Sequence, residues 1–269
     1  MKISLIAIIT LLSSGWNIMR AQQHNIILGP TRLLCTYSEK MMIDTISGRT
    51  TDDYLTLRIG DSVSSFYSHA LFFADSLKSS HNGFSKWMQI VGQYSREGRK
   101  DELSTNMAEY IFINYPEGKI SSFAQIASSS YAKVVEDMEM PEWTVLDSAR
   151  QILGYDCRKA VTDFRGRKWT AWFTPEIPVS AGPWKLWGLP GLIVEAEDSR
   201  SHYHYILKSV TQPSNDSIAL NTFGRNYRNV SRIEYLRAKE AYAKDPNRPT
   251  MTKPGSVQYD YRETDYHKR

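Results

Sequence analysis

The sequence predicts an α+β protein, predominantly antiparallel β, folded as a curved sheet or half-barrel with a few covering helices. Two observations lead to this class. The 269 residues include 16 Tyr and 7 Trp, and aromatic rings pack well on a pleated surface. In addition, short runs alternate between apolar and polar residues and end at turn signals, a pattern that is typical of strands. The length suits a single large domain.

Residues 1–22 are predicted to be a secretory signal peptide. Lys2 precedes an apolar run of about ten residues, which is too short to span a bilayer. Small and polar residues follow, and we expect cleavage near Ala21-Gln22. The mature chain is then one β-rich domain over residues 23–247, in the periplasm or secreted, with a mobile polar tail over residues 248–269.

The charge and hydropathy of the chain argue against a nucleic-acid partner and against a transmembrane span. The formal net charge is only +4, and two of the basic residues, Lys2 and Arg20, lie in the predicted signal peptide. A nucleic-acid partner requires a clustered basic face, so none is expected. No later segment carries the roughly eighteen apolar residues of a transmembrane helix, and no transmembrane span is predicted.

The first elements follow from the hydrophobic pattern. Residues 33–38 read as a strand, and residues 53–59 alternate with period two, as a half-buried strand does. Residues 66–104 lack this alternation and are predicted to form a helical insertion. Its helices are expected over residues 69–78 and 84–94, where apolar residues are spaced at helical intervals.

Later strands are bounded by turn signals. They are predicted over residues 109–115, 131–136, 143–146, 154–164, 169–174, 192–197 and 202–210. Hairpin turns are expected at residues 165–167 and 198–201. Ser231 and Glu234 form a capping box, which predicts a helix from there to about Lys244.

Residues 171–193 form the most informative segment. Four prolines exclude a helix or a central strand: Pro175, Pro178, Pro183 and Pro190. Pro190-Gly191 suits the central positions of a type II turn. Trp184 and Trp187 must be covered, because two exposed indoles would forfeit considerable apolar burial. We therefore predict an ordered, Trp-rich loop that crosses the fold.

Within this segment, Gly188-Leu189-Pro190-Gly191-Leu192-Ile193 resembles the signature of the GLPGLI family of exported proteins from Gram-negative bacteria. Further matching motifs are Phe66-Tyr67-Ser68, Gly154-Tyr155-Asp156-Cys157-Arg158-Lys159-Ala160, Arg165-Gly166-Arg167, Ala171-Trp172-Phe173-Thr174, Ile177-Pro178 and Gly182-Pro183-Trp184. The resemblance is specific over about residues 143–210. It implies an exported protein with a curved antiparallel sheet like that of periplasmic lipoprotein carriers, and it brings no established activity.

The tryptophans suggest a binding site. Five of the seven lie between residues 143 and 187, and a concave sheet lined with aromatic rings can hold an apolar ligand, a lipid or a peptide. The candidate ligand-binding residues are Trp172, Trp184, Trp187 and Leu189. The alternative is that these side chains build the core and anchor the loop.

A second candidate site is a metal centre on the hairpin around residues 198–201. With that loop, Glu197 would face His202, and Glu195 would face His204, all on one side of the sheet. Two imidazoles and two carboxylates can hold zinc or another divalent ion. The alternative is a solvated polar face, which the alternation also predicts.

Cys35 and Cys157 leave two alternatives open. In an oxidising compartment they can form a disulfide, or they can be two buried thiols that act as small apolar side chains.

The usual catalytic signatures are absent from the sequence: it has no Gly-x-Ser-x-Gly, no His-Glu-x-x-His, no phosphate loop and no Cys-x-x-Cys. The leading hypothesis is therefore a non-enzymatic envelope protein, without a resident cofactor, that binds an apolar ligand or a partner protein. The alternatives are a structural or assembly protein working with an outer-membrane partner, and a metal-binding protein or metal-dependent hydrolase.

Overall fold

The computed structural model describes residues 25–103, 105–127, 129–245, 247 and 262–268. The predicted signal peptide and its cleavage position lie outside the described residues. The strands are β1 (Ile26–Pro30), β2 (Leu33–Asp44), β3 (Arg49–Ile59), β4 (Ser64–Ser68), β5 (Glu109–Ile113), β6 (Lys119–Ala127), β7 (Ser130–Asp137), β8 (Thr144–Ile152), β9 (Tyr155–Phe164), β10 (Arg167–Thr174), β11 (Leu192–Asp198), β12 (Tyr203–Thr211), β13 (Ser217–Leu220) and β14 (Tyr227–Val230). The helices are α1 (His69–Lys78), α2 (Gly83–Arg96) and α3 (Arg232–Lys244), with short 3-10 turns at Lys100–Leu103 and Asp265–Lys268.

Twelve of these strands form one sheet. Their order is β14-β7-β6-β5-β4-β3-β2-β12-β11-β10-β9-β8, and β1 pairs with β13 in a separate ribbon. All neighbours are antiparallel except β14, which runs parallel to β7. Within the described residues the end strands β14 and β8 do not pair with each other, so the sheet is not closed into a barrel. The predicted α+β class with a predominant antiparallel sheet is confirmed.

The main core lies on one face of the sheet, which we call the inner face. Alternate residues of each strand point to this face, as Tyr37, Leu57 and Trp169 do, and all three are fully buried. The loop over residues 175–191 lies across the inner face and contributes Trp184 and Leu186 to the same cluster. Helix α3 covers the part of this face formed by β6 and β7.

The outer face carries a second, smaller core. Tyr67, Tyr110 and Phe123 point outward from β4, β5 and β6, and they pack against Ile218 of the ribbon and Leu71 of α1. Both faces of β4, β5 and β6 are therefore covered, which agrees with their almost continuous burial.

Both helices predicted in the insertion are present. Helix α1 begins after Ser68, whose hydroxyl accepts a hydrogen bond from the Leu71 N–H at 3.2 Å. The capping box of Ser231 and Glu234 also opens α3, which ends at Lys244 as expected. Strand β4 occupies the first residues of the predicted insertion, and β1, β6, β13 and β14 were not predicted. None of the helices in the described part of the chain combines the length and apolar character needed to cross a bilayer.

The loop over residues 175–191, which we call the signature loop, has a different turn geometry from the one predicted. Gly191 does not have a positive φ, whereas Gly188 has a φ of 100° and Trp184 a φ of 56°. The prediction of a type II turn at Pro190-Gly191 is therefore wrong, because that turn requires a positive φ at Gly191. Gly191 is required for another reason, because a Cβ at this position would lie 2.1 Å from the carbonyl oxygen of Thr174.

The C-terminal residues 262–268 pack onto the inner side of the fold. Glu263 and Tyr266 are buried, and Glu263 pairs with Lys185 and Arg232. The prediction of a mobile tail is therefore wrong for these seven residues, because Arg262 and Glu263 form buried ion pairs and the Tyr266 side chain is buried. Residues 248–261 lie outside the described residues.

Candidate ligand-binding cavity

The signature loop is a packing element. Trp184 and Leu189 are 1% and 2% exposed, and the ring centroids of Trp184 and Trp169 are 5.7 Å apart. Trp187 is partly buried, and its carbonyl oxygen accepts a hydrogen bond from Trp143 Nε1 at 2.7 Å. The loop therefore fills the space in which the sequence led us to expect an apolar ligand.

Trp172 is less buried than Trp184 and Leu189. Along β10, Trp169 and Ala171 are buried on the inner face, while Trp172 points outward and is partly exposed. The Arg150 guanidinium sits over its ring, 4.1 Å from the centroid. Trp172 thus packs against the main core only in part, whereas Trp184 is buried within it.

The four candidate metal ligands are also dispersed. Glu197 pairs across the strands with His204, not with His202, so the expected register is wrong by two residues. Glu195 contacts His204 at 3.1 Å and pairs with Arg150, and the hydrogen bond from His204 is the main cause that lowers the pKa of Glu195. In the described part of the chain, no three His, Cys, Asp or Glu side chains are grouped as a metal site requires.

Asp198 explains the shifted register. Its carboxylate accepts hydrogen bonds from the N–H groups of His202 and Tyr203, both at 2.8 Å. It also pairs with Arg167 at 2.7 Å, and both side chains are 1% exposed. Sequence reasoning treated Asp198 as a solvated turn residue and so missed the contacts that fix the tip of the hairpin.

Both cysteines are free thiols and both are buried. Burial raises the pKa of Cys35 to about 12, and burial also raises the pKa of Cys157. Their strands, β2 and β9, are separated in the sheet by three others.

A network of buried ions joins the signature loop to the C-terminal part of the chain; we call it the Lys185 network. Its centre is Lys185, which is 3% exposed and pairs with Glu136 of β7 and with Glu263, the latter at 2.7 Å. Arg165 contacts Glu136 at 2.8 Å, and Arg232 of α3 pairs with Glu263. Buried charges are costly unless each has a partner, and here every one of these five does.

The protonation of this network follows from its pairing. Burial alone would lower the pKa of Lys185, but the carboxylates of Glu263 and Glu136 outweigh burial and raise it. For Glu263, burial would raise the pKa, but Lys185 and Arg232 outweigh it and lower the pKa. Both directions favour the charged forms.

Arg262 forms further buried polar contacts beside the Lys185 network. Its guanidinium pairs with Glu39, which is fully buried, and its Nε donates to the Tyr205 hydroxyl at 2.8 Å. Its carbonyl oxygen accepts a hydrogen bond from Arg167 at 3.1 Å. Arg262 is therefore held by β2, β10 and β12, and Glu263 by the signature loop and α3.

Beside Arg262 and Glu263, a cavity of about 300 Å³ lies between α3 and the inner face. Its wall combines aromatic, amide and charged side chains, among them Tyr203, Tyr242, Gln125, Glu109, Lys239 and Arg262. A cavity of this size falls at the lower end of the range for small-molecule sites, roughly 300–1,000 Å³.

Lys239 is the distinctive group of the cavity. It is partly buried on α3, its Nζ lies 5.2 Å from the Tyr235 ring centroid, and no carboxylate of the described residues comes within 4 Å of it. Burial lowers its pKa, and the nearby charge of Glu109 opposes this only in part. Glu109 is itself buried. The cavity thus contains a desolvated ammonium group that has no ion-pair partner among the described residues.

Sequence reasoning missed this site. The only available signal was the spacing of Tyr235, Lys239 and Tyr242 on the predicted helix, which places the three side chains on one face. That spacing does not reveal which element the face would meet.

Residues 164–195 match a family model described as a protein of unknown function (Porph_ging). The matched segment runs from the end of β9 through β10 and the signature loop into β11. It therefore supplies Arg165, Trp184 and Lys185 to the core and the Lys185 network. This match is compatible with the resemblance to GLPGLI proteins but does not establish it.

No curated protein matches the chain. Among solved structures, the chain is similar in fold to PNGF-II in two crystal forms. In the P21 form the TM-score is 0.51 at 15% identity, covering 78% of this chain and 33% of PNGF-II. In the C2 form the TM-score is 0.50 at 16% identity, covering 77% and 32%. The chain spans about a third of the length of PNGF-II, and at this identity the likeness concerns the fold alone.

Proposed function

We propose that this chain is an exported envelope protein that binds a small ligand carrying an anionic group in the cavity between α3 and the inner face. The observation that carries the proposal is Lys239, a cation that faces the cavity without an ion-pair partner among the described residues. The Lys239 ammonium group loses hydrogen bonds to water when it is buried. A bound carboxylate or phosphate would replace them with charge-assisted hydrogen bonds.

The remaining walls define the other end of the ligand. Glu109 is buried and lines the same cavity, so an amine or hydroxyl group of the ligand would find an acceptor there. Tyr203 and Tyr242 offer ring surface between the two charged groups. These features favour a compact polar ligand over the lipid-like ligand that the tryptophans suggested.

The proposed location rests on the sequence. A short basic start, an apolar run and small residues near Ala21 are typical of a secretory signal peptide. The run from Gly188 to Ile193 supports membership of the exported GLPGLI family. Fractionation of cells into cytoplasm, periplasm and medium, with N-terminal sequencing of the mature protein, tests the location and the cleavage position.

Native mass spectrometry tests the ligand. The mature protein, purified from an envelope extract without chelators, should carry a small anionic molecule. Lys239→Met should abolish this mass increment, whereas the matched control Lys244→Met on the same helix should retain it, because Lys244 is exposed and lies outside the cavity. A bare mass for the unaltered protein, or an increment that survives Lys239→Met, would contradict the proposal.

A further inference from the structure

Strand β3 is longer than its neighbour β4. It spans Arg49–Ile59, but β4 pairs with it only from Leu55 to Ile59. The chain leaves the sheet after Ser68 and forms α1, so residues 49–54 of β3 have no β4 partner. On the opposite side these residues remain paired with β2.

On the side away from β2, the backbone of this segment is only partly occupied, because β4 does not reach it and Asn106 takes the Thr51 carbonyl oxygen. Alternate residues of an antiparallel strand direct their N–H and C=O groups to opposite neighbours. Asn106 Nδ2 reaches the Thr51 carbonyl oxygen at 3.4 Å from the open side, which places the backbone groups of Thr51 and Asp53 on that side. In the part of the chain that the structure describes, no strand pairs with them there.

A groove of about 730 Å³ follows this open edge. Its far wall is formed by the helical insertion, with His69 and Phe73 of α1 and Tyr94 of α2. At its rim, the side chains of Tyr54 and Phe73 are 61% and 43% exposed. The groove is thus bordered by a strand edge on one side and by aromatic side chains on the other.

The charged side chains that line the groove, among the described residues, are mainly acidic. Asp52, Asp53 and Glu102 line it, and among the described lining residues only His69 can become positively charged. Asp53 accepts hydrogen bonds from Ser68, Thr105 and Asn106, and Glu102 pairs with Arg99. Asp52 is exposed and remains available to a basic residue.

We propose that this edge of β3 docks an extended segment of a partner polypeptide, which adds as a strand beside residues 49–54. Main-chain hydrogen bonds to the Thr51 N–H and to the N–H and C=O of Asp53 would supply the affinity. Alternate side chains of the segment would face Phe73 and Tyr94, as in other cases of strand addition. An exposed strand edge is a template for such pairing. The acidic lining favours a segment with Lys or Arg. This site is separate from the Lys239 cavity, so either proposal can fail alone.

Selection from a library of random linear peptides against the full mature chain tests this inference. Enriched peptides should alternate β-branched or aromatic residues with polar ones and should include Lys or Arg. A selected peptide should slow hydrogen exchange at the Thr51 and Asp53 amides. No enriched peptide, or unchanged exchange at both amides, would overturn the inference.

Methylated peptides provide the matched control. Only alternate residues of an added strand can pair with β3. N-methylation of one alternate set should weaken binding about tenfold or more, while methylation of the other set should have little effect. Equal effects of the two sets would overturn the inference. Thr51→Pro should also abolish binding, and Tyr54→Ala, at an exposed side chain, should weaken it without affecting the fold.

Discussion

The matched segment 164–195 and the helical insertion 69–103 use their side chains in opposite ways. In the segment, Trp184 and Lys185 are almost completely buried, and Gly191 has no room for a methyl group. In the insertion, by contrast, α2 has Gly83 as its only buried residue, and Phe84 is 66% exposed. The most recognisable part of the sequence is therefore used for packing. The two proposed binding surfaces lie elsewhere, in less distinctive sequence.

The contrast has a physical cause. A proline-rich loop makes few regular backbone hydrogen bonds of its own, so side-chain packing must hold it in place. A helix satisfies its interior backbone groups internally, so α2 can remain largely exposed. In order of expected effect, the first two of four predictions compare the two regions directly, and the other two concern buried ionisable groups elsewhere in the fold.

Truncating an aromatic side chain should cost far more stability in the matched segment than in the helical insertion. We expect Trp184→Ala to lower the free energy of unfolding by about 4 kcal/mol, because it leaves a cavity beside Trp169 and Phe164. Phe84→Ala on α2 should change it by no more than about 0.5 kcal/mol. Urea unfolding followed by fluorescence measures both. Similar losses for the two variants would contradict the contrast.

Glycine substitutions should act in opposite directions. Gly191→Ala should destabilise the fold by about 3 kcal/mol, because the new Cβ would collide with the Thr174 backbone. Gly92→Ala should stabilise it by up to about 1 kcal/mol, since Gly92 lies within α2 and its nearest neighbour is the flexible end of Arg96, at 3.5 Å. Thermal unfolding of the two variants checks the opposite signs.

The Lys185 network should make stability depend on acid pH. The pKa of Glu263 is lower in the folded protein than its ordinary value. Its contribution is therefore fully present above the ordinary carboxylate range and is lost as the pH falls toward the folded value. Unfolding free energies measured between pH 7 and pH 3 should fall with acid, and Glu263→Gln should reduce this dependence. An unchanged slope in the variant would count against the network.

The reaction of Cys35 and Cys157 with a thiol reagent should be slow in the native protein. Because burial raises the pKa of Cys35 to about 12, the native protein should react slowly with a thiol reagent at pH 8. After denaturation without reductant, both cysteines should react. Recovery of no thiols under those conditions would show that Cys35 and Cys157 form a disulfide instead.

Much of the fold could be predicted from local patterns. Helix α1 and the capping box of α3 follow from short-range signals, namely apolar spacing and the Ser231–Glu234 pair. Strand β6 was missed because Ser121 and Ser122 interrupt its apolar pattern, yet both are buried in the structure. Burial on both faces of a strand removes the alternation on which the prediction depended.

The candidate site could not be predicted in the same way. Lys239 is one of many lysines in the sequence, and only the packing of α3 on β6 and β7 separates it from solvent. The shifted hairpin register likewise depends on Asp198, whose partner Arg167 lies at the start of another strand.

The sequence by itself determined the sheet-rich class, the two insertion helices and an ordered tryptophan loop, because these depend on residue spacing and on the backbone limits of proline. The tertiary structure alone decided that this loop fills the inner face, that residues 262–268 are held by buried ions, and that Lys239 faces a cavity. These outcomes depend on contacts between residues far apart in the chain, and on which buried charges find partners, and no local pattern records either.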